Sequence, residues 1–177
     1  INGNCATFDG SANSCLRAAS TWFSGKTAFT VSIWAHLTTV TSCWLFAERN
    51  ATYIPAGIVV QADGSIRYRI NVGGTEYGAT TSAGLITNGG WHHYVMTYNG
   101  SSLKLYLDAS NISTTTVSGT IYSPTSPALV IGGIYTGTYA GAPTGKIDSV
   151  NLWDTAISAD AITAIYNAGN GRFSQYQ

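Results

Sequence analysis

The stretch GGWHHYVMTYNGSSLKLYLD, which runs from Gly89 to Asp108, decides the fold of this chain. Trp91 to Tyr98 predicts one β-strand, and the alternation of apolar and polar residues from Leu103 to Leu107 predicts a second strand. Asn99-Gly100 stands between these two strands, and because both residue types tolerate a positive φ, the pair is typical of a hairpin turn. The stretch therefore predicts two antiparallel strands in the middle of the chain.

The same period of two recurs outside this hairpin. Every second residue from Phe29 to Ala35 is apolar, as expected of a strand with one buried face. Turn signals separate many such runs, and they include Asp9-Gly10, Asp63-Gly64, Gly73-Gly74 and Asn88-Gly89-Gly90. Short strands punctuated in this way predict an all-β chain folded as a two-sheet antiparallel sandwich or jelly roll.

One short helix is predicted near the C-terminus. Ser158 is a suitable N-cap, and Asp160 lies in the first turn, where a negative charge favours the helix dipole. Ile162, Ile165 and Tyr166 follow at helical spacing and predict the apolar face that packs on the sandwich.

Composition excludes several classes of function. The 177 residues are expected to form a single domain spanning 1–177, and the 8 basic and 8 acidic side chains cancel. Nucleic-acid binding needs clustered Lys and Arg, which this chain does not have, and no apolar run is long enough for a membrane span.

The low charged content of 9%, with abundant Ser and Thr, favours an extracellular, cell-surface or virion-surface setting. The start at Ile1 rather than Met indicates a piece processed from a longer product.

The chain contains an odd number of cysteines, Cys5, Cys15 and Cys43. One disulfide with one free thiol and three buried thiols are both compatible with the sequence, and the pairing stays open. Their spacing does not match that of zinc ligands.

The hairpin stretch and seven further segments also carry the motifs of a known family in the family's order. The seven are ATFDG at Ala6–Gly10, FTVSIWA at Phe29–Ala35, LFAE at Leu45–Glu48, DGSIRY at Asp63–Tyr68, IGG at Ile131–Gly133, GKIDSVNLW at Gly145–Trp153 and ISADAITAIY at Ile157–Tyr166. Together they resemble the laminin-G-like, or concanavalin A-like lectin, jelly-roll domains. This resemblance implies a two-sheet antiparallel jelly roll with one short C-terminal helix. It also implies a domain that binds glycans or serves as a structural adhesive module, since few members catalyse a reaction.

The resemblance further implies a structural calcium ion between the opening Asp-Gly turn and the late strand. The matching positions are Asp9 and Asp148 as carboxylate ligands and Gly10 as a backbone carbonyl ligand. Asp148 shares strand parity with residues expected to face the core, where an unpaired charge is costly. Calcium takes roughly six to eight oxygens, so backbone and water would complete the shell. The alternative is that Asp9 caps a turn and Asp148 accepts backbone amides.

Aromatic residues in loops are the candidates for sugar binding. Tyr and Trp rings stack on the apolar faces of sugars, and their polar tips bond hydroxyl groups. The candidates lie at strand ends or in Gly-rich loops, and they are Tyr135, Tyr139, Trp44, Tyr53 and Tyr77. The segment Tyr135–Tyr139 is the strongest, because small residues separate its two tyrosines on a predicted loop. The alternative is an ordinary amphipathic surface or a protein contact.

The sequence shows little that predicts catalysis. Glycoside hydrolysis needs two carboxylates at a fixed separation, whereas the eight acids here are scattered singly. Glu48 and Glu76 are the one pair that merits a test. His92 and His93 are adjacent on a predicted strand and therefore face opposite ways, so they cannot share a metal ion or a catalytic task.

Two functions from different classes follow. The first is a non-catalytic extracellular carbohydrate-binding or adhesion module that recognises a glycan or polysaccharide through loop aromatics. The second is a structural or decoration component of a larger assembly, such as a bacteriophage virion or a surface filament, that acts through contacts with other protein subunits.

Overall fold

The computed structural model describes residues 5–18, 21–50 and 52–167. The strands in chain order are β1 Ala6–Asp9, β2 Leu16–Ala18, β3 Phe29–Thr39, β4 Cys43–Arg49, β5 Ala56–Val60, β6 Ile66–Val72, β7 Thr75–Thr80, β8 Trp91–Tyr98, β9 Ser102–Leu107, β10 Ser110–Thr116, β11 Ala128–Ile131, β12 Ile134–Tyr135, β13 Tyr139–Ala140 and β14 Thr144–Trp153. The helix α1 spans Ala159–Tyr166.

Two antiparallel sheets of six strands each form the body of the domain. The first sheet has the order β1-β14-β3-β8-β9-β10, and the second has the order β2-β11-β4-β5-β6-β7. The predicted central hairpin is β8–β9, with Tyr98 opposite Leu103 across its turn. The side chain of Asn99 closes this turn by accepting hydrogen bonds from the backbone N–H groups of Ser101 at 3.0 Å and Ser102 at 2.8 Å. The predicted two-sheet sandwich with one short C-terminal helix is confirmed.

The core lies between the two sheets and follows the predicted alternation. Phe29, Val31 and Ile33 of β3 are fully buried there, and they belong to the same cluster as Tyr68 of the opposite sheet. The Tyr68 hydroxyl crosses the interface and donates a hydrogen bond to Ser113 Oγ at 2.8 Å, so this polar atom does not pay an unpaired burial penalty.

Helix α1 covers the outer surface of the first sheet. Ser158 caps it as predicted, with its side chain accepting a hydrogen bond from Ala161 N at 3.2 Å. Ile162 is fully buried against Val95 and Tyr106, which point outward from that sheet. We call this surface, formed by α1 and the outward residues of β3, β8 and β9, the helix face.

A small hairpin covers part of the outer surface of the second sheet. Strands β12 and β13 pair with each other, and Ile134 packs with Ala47, Ile54 and Trp44 on that surface. Backbone contact anchors the hairpin to β4, since Trp44 N donates to Gly141 O at 2.7 Å. We call this surface, formed by the β12–β13 hairpin and the outward residues of β4 to β7, the hairpin face.

All three cysteines lie within the described residues and are free thiols. Cys43 is fully buried in the core, and burial raises the pKa of its thiol to about 12. None of the helical structure in the described residues has the length and apolar character that crossing a bilayer requires.

A buried carboxylate fixes the loop that enters the core between β2 and β3. Glu48 is 0% exposed, and both of its oxygens accept hydrogen bonds. Its donors are the backbone N–H groups of Trp22, Phe23 and Ser24 and the hydroxyl of Ser24. This arrangement places the Phe23 ring in the core, stacked 5.2 Å from Phe46.

Replacing Glu48 with Gln should destabilise the fold by about 2–4 kcal/mol. The amide nitrogen of Gln presents hydrogens to N–H donors, so the bonds from Trp22 N and Phe23 N are lost in one orientation and the bond from Ser24 N is lost in the other. Urea denaturation followed by circular dichroism measures the change. Asp154→Asn is the matched control, because Asp154 is an exposed acid paired with Lys26 and should cost at most about 1 kcal/mol. Equal losses in the two variants would contradict a special role for Glu48.

Candidate functional site

Two tyrosines form the exposed end of the hairpin face. The rings of Tyr135 and Tyr139 lie with centroids 5.0 Å apart and planes inclined by 53°. Both side chains are partly exposed, and the small residues between them form the tip of the hairpin. The Arg17 guanidinium lies over the face of the Tyr135 ring, 4.9 Å from its centroid. The two predicted residues therefore form one aromatic pair.

Trp44 lies at the base of the same hairpin, where it packs with Ile134. Its ring lies over Gly57 of the neighbouring strand, where an added Cβ would come within 2.8 Å of the ring, so only glycine admits this position. The Arg69 guanidinium lies 4.8 Å from the centroid of the ring. A cation at this distance from an indole is electrostatically favourable. The tryptophan therefore connects the hairpin to the charged part of the face.

The charged part is a network of three side chains on β6 and β7. Arg69 donates to Glu76 Oε2 at 2.7 Å, and Arg67 donates to Glu76 Oε1 at 2.5 Å. These residues surround a notch of about 220 Å³. The hairpin face thus combines aromatic rings, guanidinium donors and a carboxylate acceptor, which can stack on an apolar ring and bond its polar substituents.

Two of the predicted aromatic residues lie away from this combination. Tyr53, in the loop between β4 and β5, packs edge-on against Tyr122 with centroids 4.8 Å apart. Tyr77 is 37% exposed but pairs with Ile70, a core residue, and directly paired residues point to the same side of a sheet. The Tyr77 side chain therefore lies on the inner face of the second sheet, at the edge strand β7, and not on the hairpin face. Of the five predicted aromatic residues, the structure brings Tyr135 and Tyr139 together, and it places Trp44 against Ile134 and Gly141 at the base of the same hairpin.

The structure does not bring the predicted calcium ligands together. Asp9 lies opposite Thr144, four residues along β14 from Asp148, and this corresponds to roughly 13 Å at the rise of a strand. Asp9 accepts a hydrogen bond from Ser11 N at 2.9 Å, and Asp148 accepts one from Ser149 N at 2.7 Å. Among the described residues no group of three or more His, Cys, Asp or Glu side chains could hold a metal ion. The arrangement therefore does not fit one ion shared by both acids with Gly10, and calcium binding stays a prediction.

The expectation that Asp148 points into the core is wrong. Ile147 is the core residue at this point, and Asp148 lies opposite Trp34, whose side chain is on the helix face. A bulge between Asp148 and Asn151 then shifts the register, with Ser149 at φ 49°. The extra residue is why Val150 and Leu152 pack on the core although Asp148 does not.

Because the two acids are separated, we expect the melting temperature to be the same in excess EDTA and in millimolar calcium. An ion held at a hundred times its dissociation constant would add about 2.7 kcal/mol of stability, which differential scanning calorimetry detects easily. A rise in melting temperature with calcium that disappears in Asp148→Asn would contradict this expectation and restore the predicted metal site.

The adjacent histidines face opposite ways as predicted, and each has a distinct partner. His92 Nδ1 lies 2.7 Å from Asp108 Oδ2, whereas His93 Nε2 lies 2.7 Å from Ser32 Oγ. Sequence reasoning missed the contact with Ser32. It resembles part of a nucleophile–base pair, but Ser32 and His93 are both 0% exposed and His93 Nδ1 has no partner among the described residues. Nothing orients the imidazole as a base there, and substrate cannot reach the serine.

Glu48 and Glu76 do not converge either. They lie on β4 and β7, which are separated by β5 and β6 in the sheet, or roughly 14 Å at ordinary strand spacing. Glu48 is committed to the core loop and Glu76 to the arginines on the hairpin face. The separation of roughly 14 Å between their strands exceeds the distance between the two carboxylates of glycoside hydrolases, which is at most roughly 9.5 Å.

Burial of His93 predicts acid sensitivity of the fold. Trp34 stacks on the imidazole at 4.9 Å, and Tyr166 of α1 covers both rings. Burial lowers the pKa of His93 from 6.5 to about 4, although the charge of Asp108 opposes this shift. The folded state thus favours the neutral imidazole. Stability contributed in this way is complete above pH 6.5 and is lost as the pH falls towards 4.

We therefore expect the wild type to lose up to about 3 kcal/mol more than His93→Gln between pH 7 and pH 4. Gln does not titrate in this range, so the free energy of unfolding of the variant lacks the pH dependence that His93 contributes. This holds even if the variant is less stable than the wild type at pH 7. Urea titrations at a series of pH values measure both slopes. Identical slopes would show that His93 is not protonated on unfolding.

Comparison with known proteins places the chain in a family. A model of the concanavalin A-like lectin/glucanases superfamily matches residues 8–163. The chain belongs to this superfamily. The search of curated proteins found no match.

Solved structures share the fold of this concanavalin A-like domain at low identity. A heptameric SAP-like pentraxin from Limulus polyphemus is 18% identical, with 93% of this chain and 82% of that chain covered and a TM-score of 0.68. The Ruminococcus gnavus IT-sialidase CBM40 bound to alpha2,3 sialyllactose is 16% identical, with 81% and 84% covered and a TM-score of 0.68. A structure of botulinum neurotoxin type C, whose cell entry is described as dependent upon interaction with two ganglioside molecules, is 13% identical, with 80% and 35% covered and a TM-score of 0.60.

Sequence reasoning missed the charged half of the hairpin face in this concanavalin A-like domain. The signal was present in IRYRI, since Arg67 and Arg69 alternate with core residues and must share one outward face. Glu76 and the position of Trp44 beside Arg69 could not be found in this way, because they depend on how β4, β6 and β7 are arranged in the sheet.

Proposed function

We propose that this domain is a non-catalytic carbohydrate-binding module that holds a glycan against the hairpin face. The observation that carries the proposal is the partly exposed pair of Tyr135 and Tyr139 at the hairpin tip. Arg17 lies over the Tyr135 ring, and Trp44 with Arg69 lies at the base of the same hairpin. Aromatic rings contact the C–H faces of a sugar, and guanidinium groups donate to its hydroxyl oxygens. A surface that offers both fits a pyranose better than it fits a purely apolar ligand.

The two outer faces of the sandwich favour the hairpin face for this role. On the helix face, α1 covers the outward aromatic residues, and Trp34 is 2% exposed. On the hairpin face, both tyrosines stay partly exposed on a tip that projects from a rigid sheet. Binding residues commonly occupy such loops. Relatives by fold that are described with sialyllactose and with gangliosides support a glycan as the ligand.

The absence of catalysis is part of the proposal. Glycoside hydrolysis would need two carboxylates in one groove. Glu48 is buried in the core and Glu76 is paired with two arginines on the outer surface, so the two do not meet. The low charge and neutral balance of the chain support an extracellular setting, where an uncharged surface limits nonspecific association with polyanions.

The alternative role in a larger assembly has less support. The exposed large hydrophobic residues of the described chain are Leu16, Tyr77 and Leu85. Leu16 and Tyr77 lie on β2 and β7, the opposite edges of the second sheet, so these two residues do not belong to one continuous patch. Stable protein contacts commonly use a larger apolar area.

A glycan array followed by calorimetric titration of the best ligand tests the proposal. Tyr135→Ala and Tyr139→Ala should each weaken binding about 5- to 30-fold, because each removes one stacking ring worth about 1–2 kcal/mol. Thermal melts establish that both variants remain folded.

Tyr77→Ala is the matched control, because it removes an exposed tyrosine from β7, the edge strand of the second sheet, away from the hairpin. We expect its affinity to equal that of the wild type. Loss of binding in Tyr77→Ala with none in the hairpin variants would move the site to β7. A blank array, with self-association detected by analytical ultracentrifugation, would favour the assembly role instead.

A further inference from the structure

The notch on the hairpin face is built by the register of β6 and β7. Arg69 lies opposite Gly78, and Arg67 lies opposite Thr80. Gly78 has no side chain between Glu76 and Thr80, so it leaves a gap in the outward row of β7. An added Cβ at Gly78 would lie 2.0 Å from the carbonyl oxygen of Tyr68, and this contact keeps the gap open. The floor of the notch is therefore backbone, and its walls are polar side chains.

The charges around the notch are not balanced. Burial alone would raise the pKa of Glu76, but hydrogen bonds and charge from Arg69 and Arg67 hold it below its usual value, so its carboxylate is ionised. Two guanidinium groups therefore share one carboxylate. One positive charge is left among the residues that line the notch, which otherwise contribute Tyr68, Gly78, Ala79 and Thr80. Only 9% of the residues in the chain are charged, and three of these charged side chains, Arg67, Arg69 and Glu76, lie together at this notch.

Arg69 is held in one orientation beside the notch. Its side chain is 13% exposed, and its Nε is buried without a hydrogen-bond partner among the described residues. The guanidinium is already oriented by Trp44 on one side and by Glu76 on the other. Little side-chain entropy would therefore be lost on binding.

We propose that the notch formed by Arg67, Arg69, Glu76, Gly78 and Thr80 selects glycans that carry a carboxylate, namely a sialic or uronic acid unit. This inference rests on the proposed function and names its ligand class. The planar fork of a guanidinium matches a carboxylate, as the pairing with Glu76 already shows, and a second carboxylate would balance the remaining charge. The hydroxyl of Thr80 and the oxygens of Glu76 are placed to bond ring substituents. The volume of about 220 Å³ is below the roughly 300–1,000 Å³ of pockets for drug-sized ligands, and so fits one sugar unit.

The test compares each acidic glycan with its own methyl ester, which removes the charge and leaves the rest of the molecule unchanged. Calorimetric titrations use the wild-type domain with sialylated, glucuronylated and galacturonylated oligosaccharides, their esters and the neutral parent sugars. We expect at least one acid to bind about tenfold or more tightly than its ester. The three acids distinguish a sialic from a uronic source. Equal affinity for acid and ester, or tighter binding of a sulfated analogue, would overturn the inference while leaving the proposed function standing. No binding of any glycan would overturn both.

Two variants locate the preference. Arg67→Gln removes one charge at a side chain that is 42% exposed, and Arg69→Lys keeps the charge but removes the fork. Each should reduce the ratio of acid to ester affinity towards one, whereas binding of neutral sugars to the tyrosines should persist. Lys104→Gln is the matched control, because it removes one positive charge from the opposite sheet and should leave the ratio unchanged. A ratio that survives both arginine variants would place the selectivity elsewhere and overturn the inference.

Discussion

Burial of the inner faces of the two sheets against each other is the constraint on which the rest of this domain depends. Each strand of the core contributes alternate side chains to that interface, so the remaining side chains must point outward. In β3, for example, Phe29 and Val31 enter the core while Thr30 and Ser32 cannot. The domain therefore has two outer surfaces with a fixed set of residues on each.

The two outer surfaces differ in how much of each is covered, and this difference supports the hairpin face as the proposed binding surface. On the helix face, the segment after β14 is tied down by Thr30, whose hydroxyl donates to Thr155 O at 2.7 Å and accepts from Ile157 N at 3.0 Å. Helix α1 then closes over Trp34 and His93. Among the described residues, the hairpin face receives the short β12–β13 hairpin, with Ile54 packed beside it, and no helix lies over β6 and β7. A ligand can reach polar groups on the hairpin face without displacing a helix.

The sequence predicted the features that depend on local pattern. Alternation and the Asn99-Gly100 turn gave the β8–β9 hairpin, and the cap at Ser158 with the stripe through Ile162 gave the helix. The prediction that Asp148 faces the core was wrong because a bulge inserts one residue into β14. No periodicity in the sequence marks the position of that bulge. For the hairpin face, the sequence predicted the aromatic residues but not their partners. Tyr135 and Tyr139 are close in the chain, whereas Trp44, Arg69 and Glu76 meet only through sheet order.

Trp44 connects the β12–β13 hairpin to the charged half of the hairpin face. Its ring is confined by Gly57 beneath it and by the hairpin at Gly141, where an added Cβ would also come within 2.8 Å of the ring. A ring held on two sides presents a fixed surface to Arg69, and a guanidinium stacked on such a surface loses rotamer freedom before any ligand arrives. Arg69 in turn orients Glu76, and through it Arg67. The geometry of the notch therefore depends on residues of β4 and β5 that do not line it, so a change at Gly57 is expected to alter the notch as well as the tryptophan.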